Sequence, residues 1–215
     1  MLVPIVAATL IIGVFYPASR HFVYSYDIDT AAQVSDGSKS DVGTILVDVL
    51  GFQTDTGTVV RVSEQSKARP DLKPAMCVTY GTGLVQCDAI ANVTVEEMCL
   101  LRVLGRNFVN WAELDRQRAW HNGAFDGHTR ESNDFQITGQ THGLFDIAFK
   151  RVLNVPGFDG YVSTTNGHVS YDRDHSAPMT LTQETVTKPQ TGDRDRIIED
   201  LTLRLQSDSL VARPG

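Results

Sequence analysis

The residue pattern predicts an α+β fold: mainly antiparallel β-hairpins packed against one long amphipathic helix, with an N-terminal hydrophobic segment and a C-terminal docking helix. Three observations carry this. Gly81-Thr82-Gly83 and Asn166-Gly167 each interrupt a β-prone run with the small residues that a tight hairpin turn needs. Thr94-Val95-Glu96-Glu97 has the form of a capping box, with the Thr94 hydroxyl accepting from the Glu97 amide and the Glu97 carboxylate reaching back to the cap amide. Beyond it, Met98, Leu101, Leu104, Phe108, Trp111 and Ala112 recur at three- and four-residue spacing, the period of one helix face. At 41% hydrophobic and 21% charged, the 215 residues can bury one sizeable core, which excludes general disorder.

Residues 1–22 read as a hydrophobic anchor or signal-like segment. Met1 to Ser19 carry no charge, and the first charged side chain is Arg20. As a helix, Leu2 to Tyr16 would reach about 22 Å, short of the roughly 30 Å of hydrocarbon unless Pro17 to Phe22 extend it. A signal peptide fits the apolar length but lacks a basic leader. A buried strand pair is the third reading, since Val3, Ile5, Val6, Ile11, Ile12 and Val14 are β-branched.

The globular body spans 23–171. His21 to Asp27 alternates as a strand would, Ala31 to Asp41 reads as a linker or long turn, and Thr44 to Phe52 and Thr58 to Glu64 are strand candidates. The helix from Thr94 is expected to run some 20 residues, ending before Asn122-Gly123, followed by a loop over 121–135. Leu144 to Val152 suits a short helix or a strand, and Gly160 to Tyr171 a second hairpin. Residues 172–192 are rich in threonine and polar groups and read as a linker. In 193–206, Ile197, Ile198, Leu201 and Leu205 fall on one narrow helical stripe, a candidate partner-binding face.

Folding the chain about Thr82 places Cys77 opposite Cys87, a candidate disulfide in an oxidising compartment. Cys99 is left over as a small apolar helix residue. His121, His128, His142, His168 and His175 lie in or near expected loops without a metal-ligand spacing, so no metal and no cofactor are expected.

Asp55-Thr56-Gly57, Thr79-Tyr80-Gly81-Thr82-Gly83 and Val103-Leu104-Gly105-Arg106-Asn107 resemble, in order, the catalytic loop, the flap and the apolar-apolar-Gly-Arg-Asn helix of aspartic proteases, over residues 44–110 at most. The resemblance implies a hydrolase with Asp55 as the catalytic carboxylate. No second such loop occurs, so it also implies a dimer. Residue 58 is Thr rather than the Ala or Ser of the family, and Gln53 and Thr54 replace its apolar strand.

All 26 carboxylates lie from Asp27 onward against 19 basic residues, so the formal charge of −7 belongs to the body and disfavours nucleic acid. The reading with fewest coincidences is a non-enzymatic, membrane-anchored accessory or structural subunit of a larger assembly. Its partners are other protein subunits or a second copy of itself, and its body is extracytoplasmic. The dimeric aspartic-protease-like hydrolase is the alternative.

Overall fold

The computed structural model describes residues 20–33, 37–52, 57–80, 85–88, 92–104, 118–125, 127–173, 176–191 and 196–210. In chain order the elements are β1 (Arg20–Ala32), β2 (Ser38–Phe52), β3 (Thr58–Ser66), β4 (Ala75–Thr79), β5 (Val85–Cys87), α1 (Val95–Val103), β6 (Ala119–Phe125), β7 (Arg130–Thr141), β8 (Leu144–Val155), β9 (Tyr161–Asp172), β10 (Ala177–Pro189) and β11 (Ile197–Leu210). The strands form one eleven-stranded sheet in the order β5-β4-β3-β2-β1-β11-β10-β9-β8-β7-β6. Two up-and-down meanders, β1–β5 and β6–β11, are therefore zipped together where β1 meets β11. Every described pairing is antiparallel.

Alternation explains why these segments are strands. Phe22, Tyr24, Tyr26 and Ile28 of β1 are buried, and in register with them lie Val47 and Ile45 of β2 and Leu205, Leu203 and Leu201 of β11. The same inner face continues through Leu181, Val169, Ile147 and Ile137 of the second meander. A period of two puts one face of each strand in the core and the other in water. Contacts of α1 reach β3, β5 and β10. On a flat sheet β5 and β10 would stand about 29 Å apart, whereas a nine-residue helix is only about 13 Å long, so the sheet curls around the helix.

The structure bears out antiparallel strands as the dominant element, but it replaces both helical expectations of length and place. α1 covers nine residues, Val95–Val103, not twenty. Its capping box forms as expected, and the chain leaves the helix at Leu104 in an extended conformation, one residue before the helix-breaking Gly105. Its buried residues, Glu96, Glu97, Cys99, Leu100, Leu101 and Val103, share one broad face about half the circumference wide, with Val95, Met98 and Arg102 on the other side. The expected C-terminal helix over 193–206 is β11, in the middle of the sheet. The period-two series Leu201, Leu203, Leu205 competes there with the helical spacing, and hydrogen bonding to β1 and β10 on both sides decides for the strand. The expected linker over 172–192 contains β10, whose threonines and valine suit a pleated surface. The expected loop over 121–135 holds most of β6 and the start of β7.

Asn166-Gly167 is no turn either. It lies inside β9, where Gly167 stands against the Phe149 ring so closely that any Cβ would collide with it. At the N-terminus, residues 1–19 fall outside the described residues, and residues 20–22, the last of the expected anchor, open β1. Among the described residues no helix is long and apolar enough to cross a membrane, a statement that does not bear on β-barrels.

Cys77 and Cys87 face each other across β4 and β5 and are joined in a disulfide. It staples the three-residue edge strand β5 to the sheet across a sequence separation of 10. Replacing both cysteines by alanine should cost about 3 kcal/mol by the chain-entropy model, read as a lower urea midpoint that reductant no longer changes.

Candidate functional site

The curled inner face carries two polar clusters and one aromatic field, arranged around α1. The first cluster begins with local chemistry in the β3–β4 connection. The Ser66 hydroxyl accepts from the backbone amides of Ala68 and Arg69 (3.0 and 3.1 Å), which turns Arg69 back over the inner face. Its guanidinium contacts Glu64 of β3 (2.9 Å), Asp41 of β2 (3.1 Å) and Glu96 in the first turn of α1. Tyr26 of β1 donates to Glu64 (2.7 Å) and Asp41 (3.1 Å), and Thr94 donates its hydroxyl proton to Glu64 (2.6 Å). Glu97 completes the group by accepting from the Thr94 amide (2.9 Å).

Four carboxylates, Asp41, Glu64, Glu96 and Glu97, thus surround one arginine, and electrostatics sorts them. Burial would raise the Asp41 pKa, but hydrogen bonds from Ser66 and Tyr26 and the charge of Arg69 outweigh it and hold the carboxyl below its usual range. Burial pushes Glu97 up, and the charges of Glu64 and Glu96 add to this against the hydrogen bonds with Thr94. Oxygens of Asp41, Glu64 and Glu96 lie within 4.8 Å of one another, a spacing that suits a cation. The Arg69 guanidinium bridges all three and acts as that cation, so the cluster clasps α1 to the first meander.

The second cluster holds the other end of the helix to the second meander. Arg102, in the last turn of α1, pairs with Glu131 (3.1 Å), which also lies 3.4 Å from Arg151 of β8. Arg151 donates to Asn133 (2.9 Å), Asn133 donates to Asn122 (2.9 Å), and Gln183 of β10 donates to the Cys99 thiol (3.1 Å). Burial, with the nearby charge of Arg102, lowers the Arg151 pKa to about 10. Burial raises the Cys99 thiol, so it stays protonated and packs as an apolar group.

Beyond this cluster lies the aromatic field. Trp120 of β6 stacks on Phe135 of β7 with centroids 5.0 Å apart, and Phe135 leans on Phe149 of β8 at 6.1 Å. Ile147, Phe145 and Tyr171 extend it along β8 and β9. The outer face is polar instead. Asp29, Asp200 and Glu184 stand directly opposite one another on β1, β11 and β10, an acidic ladder with no ion pair among the described residues.

Neither polar cluster is legible in the sequence, where only Glu96 and Glu97 stand out, as first-turn acids. The signal available was parity: Glu64 follows Val60 and Val62, and Arg151 follows Ile147 and Phe149, so each places a charge in a core register. The expected partner-binding residues sit in β11. Leu201 is buried, Leu205 packs at the edge of the core, Ile198 faces the opposite side, and Ile197 is exposed. Asp55 and Gly81 to Gly83 lie outside the described residues, as do Gly105 to Asn107, while Val103 ends the helix.

No family model and no curated protein matches the chain. Among solved structures it is similar to a chain from a structure of lipid-protein interactions in lipovitellin, with a TM-score of 0.55, 9% identity and 93% of this chain covered. The chain spans about a quarter of that lipovitellin chain, 26% of its length. Two further matches are a DUF1329 family protein from Desulfovibrio piger (TM-score 0.24, 8% identity, 88% of this chain and 87% of that one) and an outer membrane lipoprotein-sorting protein domain from Vibrio parahaemolyticus (0.23, 9%, 90% and 87%). Both fall below the similarity at which a shared fold can be argued.

These findings correct the functional expectations. The single-pass, membrane-anchored accessory subunit rested on a terminal docking helix and a spanning segment. The first is a central strand, the end of the second is another, and the fold is a β-rich one similar to lipovitellin. The dimeric aspartic-protease-like alternative is corrected by the same fold, since the described residues of the region of resemblance are β2 to β5 of one eleven-stranded sheet and the helix packed on it.

Two outcomes test the clasp. Arg69→Met should destabilise the fold by on the order of 2–4 kcal/mol near neutral pH, less than for a fully enclosed pair because Arg69 is 38% exposed. A carboxyl whose pKa is raised on folding stabilises the fold below its unfolded value and loses that contribution as pH rises through the folded one. Glu97→Gln, which keeps the capping bond, should therefore raise the urea midpoint at about pH 7.5 and leave it unchanged near pH 4.

Proposed function

We propose that this chain is a lipid-handling domain whose curled sheet packs acyl chains against its inner face. The observation that carries the reading is the extent of that face. Apolar and aromatic side chains run in register across the sheet from β4 to β6, a width of about 43 Å, while the helix lying on it is about 13 Å long. The packing of α1 is on β3, β5 and β10. The field of Trp120, Phe135, Phe145, Phe149 and Tyr171 lies beyond β10 from that packing, on β6 to β9.

The chemistry of the field suits acyl chains. Stacked rings offer broad apolar contact with few polar demands, as ligand sites of this kind do. Phe135, Phe145, Phe149 and Tyr171 are buried and Trp120 is half-buried, so loading requires the trough to open. α1 lies on the same face beside the field, held by Arg69 at one end and by Arg102 at the other, and its release widens the trough. Ionic clasps release more readily than apolar packing when charges are neutralised or solvated. The similarity to lipovitellin supports the reading by fold, and the Cys77–Cys87 disulfide supports an oxidising, extracytoplasmic compartment.

The test is native mass spectrometry of the full chain after incubation with monomeric long-chain fatty acid or lysophosphatidylcholine. Retained lipid in stoichiometric amount is the expected outcome. A chain that remains lipid-free at saturating concentrations of both ends the reading.

A further inference from the structure

The largest exposures of apolar side chains are concentrated at one rim of the sheet. Phe158 is 86% exposed and Phe125 65%, more than any other large hydrophobic residue among those described. Both sit at hairpin tips of the second meander. Phe125 ends β6 and pairs with Arg130, Arg130 pairs with Asn154 of β8, and Phe158 lies four residues further on in the β8–β9 turn. Two strand spacings, about 10 Å, separate the tips sideways. Ile197, 38% exposed at the start of β11, belongs to the same rim.

The Phe158 turn is built rigidly. The Gly160 amide donates to the Gly157 carbonyl (3.0 Å), and Gly157 adopts a positive φ of 127° that favours glycine. From the end of β10, Thr191 donates to the Phe158 carbonyl (3.0 Å), Gln190 donates its amide to Gly160 (2.8 Å), and the Gln190 side chain donates to Asn154 (2.6 Å). The backbone is held while the ring projects into water, which is an arrangement for display.

Charge identifies the partner. The Arg130 guanidinium lies 5.8 Å from the Phe125 ring and forms no ion pair among the described residues, and neither does Lys188, exposed near the end of β10. Exposed aromatic tips on a rim that carries Arg130 beside Phe125, and Lys188 near the end of β10, match the boundary between acyl chains and phosphate. A protein partner would need a contiguous patch of about 800 Å², and two separated convex tips do not offer one. The net charge of −7 and the ladder of Asp29, Asp200 and Glu184 oppose an anionic surface.

We infer that the rim formed by the β6–β7 and β8–β9 hairpins docks on a zwitterionic phospholipid surface, inserting Phe125 and Phe158 below the phosphates while Arg130 contacts them. The inference rests on the lipid-handling reading and gives it a route, since docking sets one end of the trough against a source of lipid.

The experiment uses the full chain and phosphatidylcholine vesicles with brominated acyl chains. Phe158→Trp should gain a blue-shifted emission that the vesicles quench, over the background of the native tryptophans. Phe125→Ala with Phe158→Ala should weaken vesicle binding roughly tenfold or more, with an unchanged urea midpoint because both rings are exposed. Unquenched emission in excess vesicles, full binding by the double variant, or a shift produced only by added protein overturns the proposal. Retention of monomeric lipid without vesicle docking overturns the rim and keeps the trough. Docking without retention overturns the trough and leaves the rim as a surface contact alone.

Discussion

The pairing of β1 with β11 is the constraint on which the rest of the molecule depends. It joins Arg20 to Leu210 at one end and Ala32 to Ile197 at the other, so the two extremes of the described chain meet in the centre of the sheet. Closing so long a loop costs chain entropy that only a long, well-matched interface offsets. Here Tyr24, Tyr26 and Ile28 stand opposite Leu205, Leu203 and Leu201, and Arg20 pairs with Asp208 beyond the register shift. Without this seam each meander would have an additional open edge of thirteen or fourteen residues, a template for aggregation.

With the seam closed, α1 becomes a brace. Its acidic first turn is tied through Arg69 to β2 and β3, and its basic last turn through Glu131 to β7. The helix dipole favours this polarity, with Glu96 and Glu97 at the start and Arg102 at the end. Each tie takes charge into or beside the apolar trough, which is expensive and specific for that reason: a displaced helix would separate Glu96 from Arg69 and Arg102 from Glu131. The same brace leaves the aromatic field of β6 to β9 outside its main packing, which is why the lipid reading attaches there.

Local sequence specifies structure wherever neighbouring residues alone set the geometry. The capping box at Thr94 and Glu97 needs only four residues, and the register of Cys77 with Cys87 follows from a short hairpin. At β11 two periods compete, since Ile197, Ile198, Leu201 and Leu205 fit a helix while Leu201, Leu203 and Leu205 fit a strand. Threonine-rich β10 looked like a tether because its polarity hid its β propensity. The clusters around Arg69 and Arg151 were invisible because their members come from elements far apart in the chain.

The sequence by itself determined that the chain has a single core, an acidic body, a capped helix after Thr94 and a cysteine pair placed for bridging. These follow from composition and from interactions spanning a few residues. Only the tertiary structure decided that β10 and β11 are strands, that Gly167 is a site of close ring packing instead of a turn, and that Glu64 and Arg151 face inward. The reason is physical: in a sheet half of each residue's partners sit on another strand, and which strand that is depends on closure of a seam between opposite ends of the chain.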